Sequence, residues 1–294
     1  MNTRAHIALL ADGRRLHLQD GPIDLVIEAF GARSEVRAAY SAATERFTTI
    51  LDELCSELPL LRQPAGPSRP HVSGVVAKRM LDAVLPYAVD NFITPMAAVA
   101  GSVAEEVLVA MTGAADLSGA YVNDGGDIAL HIAPGEEFIV GMVERPDHPS
   151  LFGTARLGAA DPVRGIATSG WRGRSFSLGI ADAVTVLAES ASAADAAATI
   201  IANAVNLPGH PAIVRVPACH LAPDSDLGSL LVTQDVGQLS HPEVEVALSN
   251  GSAVARNVLQ RGLIVAAALN VRGETGVVGS IPLQPALPRS LVHA

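Results

Sequence analysis

Three stretches of the chain carry residue types that do chemistry when they are brought together. In "VNDGGDI" (122–128), two apolar runs meet at Gly125 and Gly126, with Asp124 and Asp127 on either side. An Asp-Gly-Gly turn between alternating runs is a hairpin signal. It is also a backbone surface against which a ligand can lie, because a glycine has no Cβ to block close approach. In "IATSG" (166–170), Thr168, Ser169 and Gly170 follow an apolar strand and offer hydroxyls and backbone N–H groups at its end, a common position for anion contacts. Arg156, Arg164, Arg172 and Arg174 put 4 of the 20 basic residues within 19 positions. Their guanidinium forks suit phosphate or carboxylate, and the competing reading is surface pairing with neighbouring carboxylates. In "ADAAAT" (194–199), Asp195 and Thr199 are four apart and share a helix face. With a carbonyl from a neighbouring strand they would give oxygen ligands to a hard cation such as Mg²⁺. Asp195 equally suits a first helical turn, where the helix dipole favours negative charge.

These residues need elements to position them. Residues 5–30 alternate and turn at Asp-Gly and Gly-Pro, which reads as antiparallel strands. From 33 to 58, Val36, Tyr40, Phe47, Ile50, Leu51 and Leu54 recur at helical spacing. The four prolines of 59–70 predict an irregular surface connection, either a hinge or an ordered loop within one domain. Helices are predicted at 72–87 and 95–111, the second with Thr94 as N-cap and Pro95 at its first position. Strands are expected at 119–123, 127–133, 137–143, 153–158, 164–169 and 183–188. An Ala-rich helix over 191–205 has Ser190 or Ser192 as its cap. Further strands are read at 212–216 and 229–234, a helix at 243–260, and a buried strand in "RGLIVAAALNV". Strands, paired helices, strands, then the same order again give an α+β fold with a duplicated plan.

Composition removes several classes of function. A formal net charge of −10 opposes nucleic-acid binding, which depends on a basic face, and 3% aromatic residues leave few platforms for base stacking. Cys55 and Cys219 are too few and too far apart for a disulfide framework or zinc site and read as buried thiols. The nine histidines show no HxH or HExxH spacing, and His71 and His131 read as ordinary polar residues with catalysis as the alternative. No GxSxG, Walker loop or GxGxxG is present. The N-terminus has no apolar stretch for a signal peptide, and the apolar 181–205 region carries Asp182, Glu189 and Asp195. A soluble cytoplasmic protein is expected.

Taken in order, "VNDGGDI", "IATSG" and "VTVLAESASAADAAAT" (184–199) resemble the signature elements of the ApbE-like superfamily, whose characterised members are Mg²⁺-dependent FAD:protein FMN transferases. With "TPMAAVAGSVAEEVL" (94–108), the chain is more similar to an uncharacterised branch of that superfamily, over most of residues 20–270. The resemblance implies a T-fold-like α+β architecture, a single domain over 1–294. Its two strand-helix-helix-strand halves, about 1–145 and 146–280, would surround one ligand cleft, with a tail at 281–294.

It implies Mg²⁺ held by the Ala167 backbone oxygen, Asp195 and Thr199. It also implies FAD as substrate or ligand, bound by Asn123, Gly125, Gly126, Asp127, Thr168, Ser169, Gly170, Arg172 and Ser175. Asp195, Asp182 and Arg174 would act in catalysis, as FMN transfer to a flavoprotein threonine or as cleavage of the FAD pyrophosphate. One departure is plain: where flavin transferases have a histidine-isoleucine-aspartate-proline-like segment, this chain has "SFSLGIADA", with Asp182 in the aspartate's role. The competing functions are a hydrolase or lyase acting on a small anionic metabolite without flavin, and a non-catalytic ligand-binding protein. Sheet edges covered by another copy would make a homo-oligomer.

Overall fold

The chain begins with a three-strand meander, β1 (His6–Leu9), β2 (Leu16–Asp20) and β3 (Ile23–Phe30), as the alternation predicts. Leu16, Leu18, Ile23, Leu25 and Ile27 turn to one face and are buried, while His17, Asp24 and Val26 on the other face are half-buried. The computed structural model describes residues 4–143, 151–280 and 283–285. Next come α1 (Arg33–Leu61), α2 (Val75–Val84) and α3 (Val99–Ala114), then the hairpin β4 (Gly119–Asp124) and β5 (Asp127–Ile132), followed by β6 (Glu137–Val143) and β7 (Leu151–Gly158). The second half runs β8 (Gly165–Ser169), β9 (Ala183–Ala188), α4 (Ala191–Ala204), β10 (Ile213–Pro217), the one-turn α5 (Ala218–Leu221) and β11 (Leu231–Val236). It closes with α6 (His241–Gln260), β12 (Ala266–Val271), β13 (Glu274–Gly279) and β14 (Leu283–Pro285). Most of the tail assigned to 281–294 lies outside the described residues.

One antiparallel sheet organises the molecule, in the order β1-β2-β3-β4-β5-β8-β9-β12-β13. β3 pairs with β4 although α1 to α3 lie between them in sequence, and β9 pairs with β12 although α4 to α6 do. The helices gather on one face. Phe47, Ile50, Met80, Leu81, Val107 and Met111 pack there on the first strands, and Ile200, Ile201, Val258 and Leu269 form the core of the later ones. β6, β7 and β14 make a small second sheet; Leu157 of β7 packs with Leu130, Ile132, Ile166 and Leu187 on the other face of the main sheet.

Three local differences from the sequence reading have physical reasons. The first helix does not stop before Pro59 but runs to Leu61, because the missing proline N–H costs one helical bond while Leu61 is fully buried. Thr94 makes no side-chain cap; a 3-10 turn over Pro95–Ala98 leads into α3, and the Thr94 hydroxyl donates to Asp226 instead. The third is β13, which the sequence reading leaves out because its glycines and half-exposed residues break the alternation. Ser190 does cap α4, accepting from Ala193 N at 3.2 Å.

The segment Pro95–Ala114 is long and apolar enough to cross a bilayer. Here it is a core helix, with Val103, Ala104, Val107 and Met111 buried and Glu105 and Glu106 paired with Arg79. Gly101 lets α3 meet the start of α4, since a Cβ there would stand 2.3 Å from the Ala191 carbonyl oxygen.

A candidate active site at the hairpin tip

β4 and β5 join through Gly125 (φ +65°) and Gly126 (φ +116°), a two-residue turn that needs left-handed backbone at both positions. Asn123 Oδ1 accepts from Gly126 N at 2.8 Å and holds the turn closed. Asp124 and Asp127 are direct partners across this hairpin, so their side chains share a sheet face. That face is the one covered by helices, because Ala120, Val122 and Ala129 on it belong to the first core. The register therefore points two carboxylates at the junction of α3 and α4. Asp195 of α4 meets them there, held by Gly101 N at the N-terminus of α3 at 3.0 Å, while Asp127 Oδ1 accepts from Thr168 N at 3.2 Å. Thr199, one turn beyond Asp195, lines the same floor.

The electrostatics of this floor are unusual. Burial raises the Asp124 carboxyl to about 7, against the nearby positive charge of Arg174. Asp127 is raised by burial and by the charge of Asp124. Asp195 is raised well above the ordinary carboxylate range by burial and then by Asp127, with the N–H groups of Gly101 and Ala100 acting in the opposite sense. Three acids thus share one partly desolvated space with too little positive charge to keep them all ionised.

The floor opens into a cleft with two lobes. The larger, about 550 Å³, has Ser169, Gly170, Arg174 and Ser175 on one wall and Leu51, Leu54, Cys55, Leu58, Leu61, Met96 and Val99 on the other. The smaller, about 410 Å³, shares Arg62, Asp127, Arg174, Ser175, Asp195 and Thr199 and adds Phe92, Phe176, Asn203, Asp224 and Asp226. Arg174 crosses the hairpin tip: a Cβ on Gly125 would stand 3.0 Å from its Nη1, and its Nη2 donates to Pro22 O at 3.4 Å. Arg62, at the C-terminal end of α1, pairs with Asp224 at 2.9 Å.

Of the residues singled out from sequence, Gly125, Asp127, Thr168, Ser169, Gly170, Arg174, Ser175, Asp195 and Thr199 line this cleft together. Others have different tasks. Asp182 does not line the cleft; it is buried and accepts from Arg172 Nε at 2.8 Å, Trp171 Nε1 at 3.2 Å and Arg272 N at 2.6 Å, so its oxygens are engaged within the fold. Arg172 is likewise a structural cation, paired with Asp182 and stacked 4.2 Å from the Trp171 ring. Asn123 and Gly126 shape the turn, and Ala167 presents a fully buried side chain in β8. Arg156 pairs with the carboxylate of Glu137, as the alternative reading has it, whereas Arg164 donates to the backbone carbonyls of Ala159, Asp161 and Val163. Cys55 is exposed in the cleft wall rather than buried, and Cys219 is half-buried. His131 bonds the Leu117 carbonyl at 3.1 Å and His71 is exposed.

Sequence reading missed Asp124, Arg62 and the aliphatic wall. The signal for Asp124 was present: in Asp-Gly-Gly-Asp a two-residue turn makes the flanking residues cross-strand partners, so one facing inward brings the other. Arg62 left no signal, being placed by a helix that continues through a proline.

Among the described residues no three His, Cys, Asp or Glu side chains form a preformed metal cage. The donor set still fits Mg²⁺, which keeps several waters and is held by one or two carboxylates plus substrate phosphates. Asp195, Asp127 and the Thr199 hydroxyl offer that partial set.

A helix-backed antiparallel sheet with an acidic cleft at one hairpin tip defines an α+β protein with a candidate site. The family model described as AbpE bacteria matches residues 7–277, and the chain belongs to that family, an ApbE-like branch. A UPF0280 protein of Methanosphaerula palustris is 33% identical over 185 residues, covering 58% of this chain and 71% of the relative. A UPF0280 protein of Methanopyrus kandleri is 42% identical over 130 residues, covering 44% of this chain and 48% of the relative. With a UPF0280 protein of Methanothermobacter thermautotrophicus the figures are 41% over 119 residues, 40% and 44%. In the last two matches the chain spans about half the length of the relative or less. Among solved structures, the apo form of the Pseudomonas stutzeri flavinyl transferase ApbE is 13% identical, with 94% of this chain and 93% of that chain covered and a TM-score of 0.44. The ApbE protein of Thermotoga maritima gives 13%, 94%, 97% and 0.43.

Proposed function

We propose that the cleft is the active site of an enzyme that transfers or cleaves at a phosphate ester or anhydride, assisted by Mg²⁺. The observation that carries this reading is the convergence of Asp127, Asp195 and Thr199 on one cleft floor, beside the exposed guanidinium of Arg174. A bound cation would polarise a phosphoryl oxygen as a Lewis acid. Asp195, oriented by Gly101 N, and the Thr199 hydroxyl would hold it, with the Ala167 carbonyl as the further ligand that the motif resemblance implies. Arg174 would neutralise phosphate charge, and the Ser169 and Gly170 backbone would lie along the anion. Asp124, whose proton affinity burial raises, would donate a proton to a leaving oxygen. Under the same reading, the helices inserted between β3 and β4 and between β9 and β12 form a duplicated, T-fold-like plan.

The signature stretches make FAD the first ligand to test, for FMN transfer to a flavoprotein acceptor or for pyrophosphate cleavage. Titration calorimetry of the protein with FAD, with and without Mg²⁺, followed by product analysis for FMN and AMP, is the test. Metal-dependent binding with AMP release supports flavin chemistry; an absence of binding removes it. A second reading, an anionic metabolite without flavin, is favoured by a specific observation: among the described residues no aromatic side chain lines the larger lobe, so an isoalloxazine ring placed there would have no ring to stack on.

A further inference from the structure

We propose that the larger lobe receives an aliphatic chain, which makes the ligand an alkyl-, acyl- or prenyl-type phosphate whose charged head lies on the aspartate floor. The inference rests on the reading of that floor as a phosphate site with a cation.

Leu51, Leu54 and Leu58 follow one another at i, i+3 and i+7 along α1 and form a single stripe on the cleft side of that helix. Met96 and Val99, from the entry to α3, line the same lobe. Leu51, Leu58, Met96 and Val99 remain half-buried, so apolar surface inside a concave space is left for a ligand to cover. The wall is built of branched or flexible aliphatic groups and offers no flat face to a planar ring. Phe92 and Phe176 lie instead in the smaller lobe. The larger lobe is therefore charged where it meets Asp124, Asp127 and Arg174 and apolar along α1, which is the polarity of a chain ending in an anionic head. Burial of aliphatic surface gives such a lobe a length-dependent affinity, about fourfold for each fully covered methylene.

The experiment is titration calorimetry of the 294-residue protein in Mg²⁺ with inorganic phosphate, then ethyl, butyl and hexyl phosphate, with FMN as the planar comparison. The expected result is affinity that rises with chain length, more than tenfold from ethyl to hexyl, with FMN weaker than hexyl phosphate. A Leu58→Asn protein should lower the hexyl-to-ethyl ratio several-fold, with its helical signal by circular dichroism as the folding control. Equal affinity across the series, with inorganic phosphate still bound, overturns the aliphatic lobe and leaves the phosphate floor standing. FMN binding more tightly than hexyl phosphate overturns it in favour of a planar group. No binding of any probe overturns both readings together.

Discussion

Asp195 and Asp182 are thirteen residues apart in sequence, Asp182 buried and Asp195 half-buried on the cleft floor, and they do opposite things. Asp182 accepts from Arg172, Trp171 and the Arg272 backbone, and a full cation sits against it. Asp195 faces Asp127 and is held by backbone N–H at the start of α3. A buried carboxylate surrounded by donors is part of the scaffold. One that meets other carboxylates suits the uptake of positive charge, which is the role proposed for Asp195.

The largest expected effect of breaking this contrast is on turnover. Asp195→Ala should abolish metal-dependent activity while leaving the melting temperature unchanged or higher, because a strained acid is removed; turnover at the wild-type rate would sink the site assignment. The mirror-image change, Asp182→Asn, should cost roughly 3 kcal/mol of stability by removing the buried charge that accepts from Arg172, Trp171 and the Arg272 backbone. Chemical denaturation would read this as a lower midpoint, and an unchanged midpoint would mean that the pair is not structural.

The pH dependence follows from the floor. Asp124 has its folded-state affinity for protons raised to about 7, against an ordinary value near ~4 in the unfolded chain. Between those values the folded state binds more protons at Asp124, so the contribution of this group to metal-free stability is fully present below pH ~4 and is lost as pH rises toward about 7. The difference in melting temperature between wild type and Asp124→Asn should therefore shift in favour of Asp124→Asn across that window. A difference that stays constant over the same range in metal-free protein would contradict the account. Smaller effects are expected at the tip of the hairpin. Arg174→Ala should weaken anion binding several-fold, read by titration with inorganic phosphate, with little change in stability because the side chain is exposed. Gly125→Ala should cost about 1 kcal/mol, since φ +65° disfavours a Cβ and Arg174 would have to move.

Much of this contrast was legible in the sequence, and the part that was not has a definite cause. Alternation and turn residues gave the strands β2 to β5 without their pairing, and the Asp-Gly-Gly-Asp turn is the part from which a shared face could have been read. Spacing put Asp195 and Thr199 together. Asp182 and Arg172 misled because both sit in the glycine-punctuated stretch that follows a cleft-lining strand. Gly170 approaches the Asp182 carbonyl closely, since a Cβ there would lie 2.6 Å from it, and Trp171 and Arg172 turn away from the cleft before Gly173, Arg174 and Ser175 line it again. Only the three-dimensional course of 170–182 separates Arg174, in the cleft, from Arg172, two residues earlier. The aliphatic wall was hidden for another reason: its leucines look like ordinary core positions of α1, and what leaves them half-buried is empty space rather than residue type.

The most direct measurement is titration calorimetry of inorganic pyrophosphate with Mg²⁺ against the wild-type, Asp195→Ala and Asp182→Asn proteins at a temperature where all three are folded. The account expects binding by wild type and Asp182→Asn with similar affinity, and a loss of at least tenfold in Asp195→Ala. Wild-type affinity in Asp195→Ala, with binding lost only in Asp182→Asn, would contradict it and move the functional centre to the Asp182 cluster.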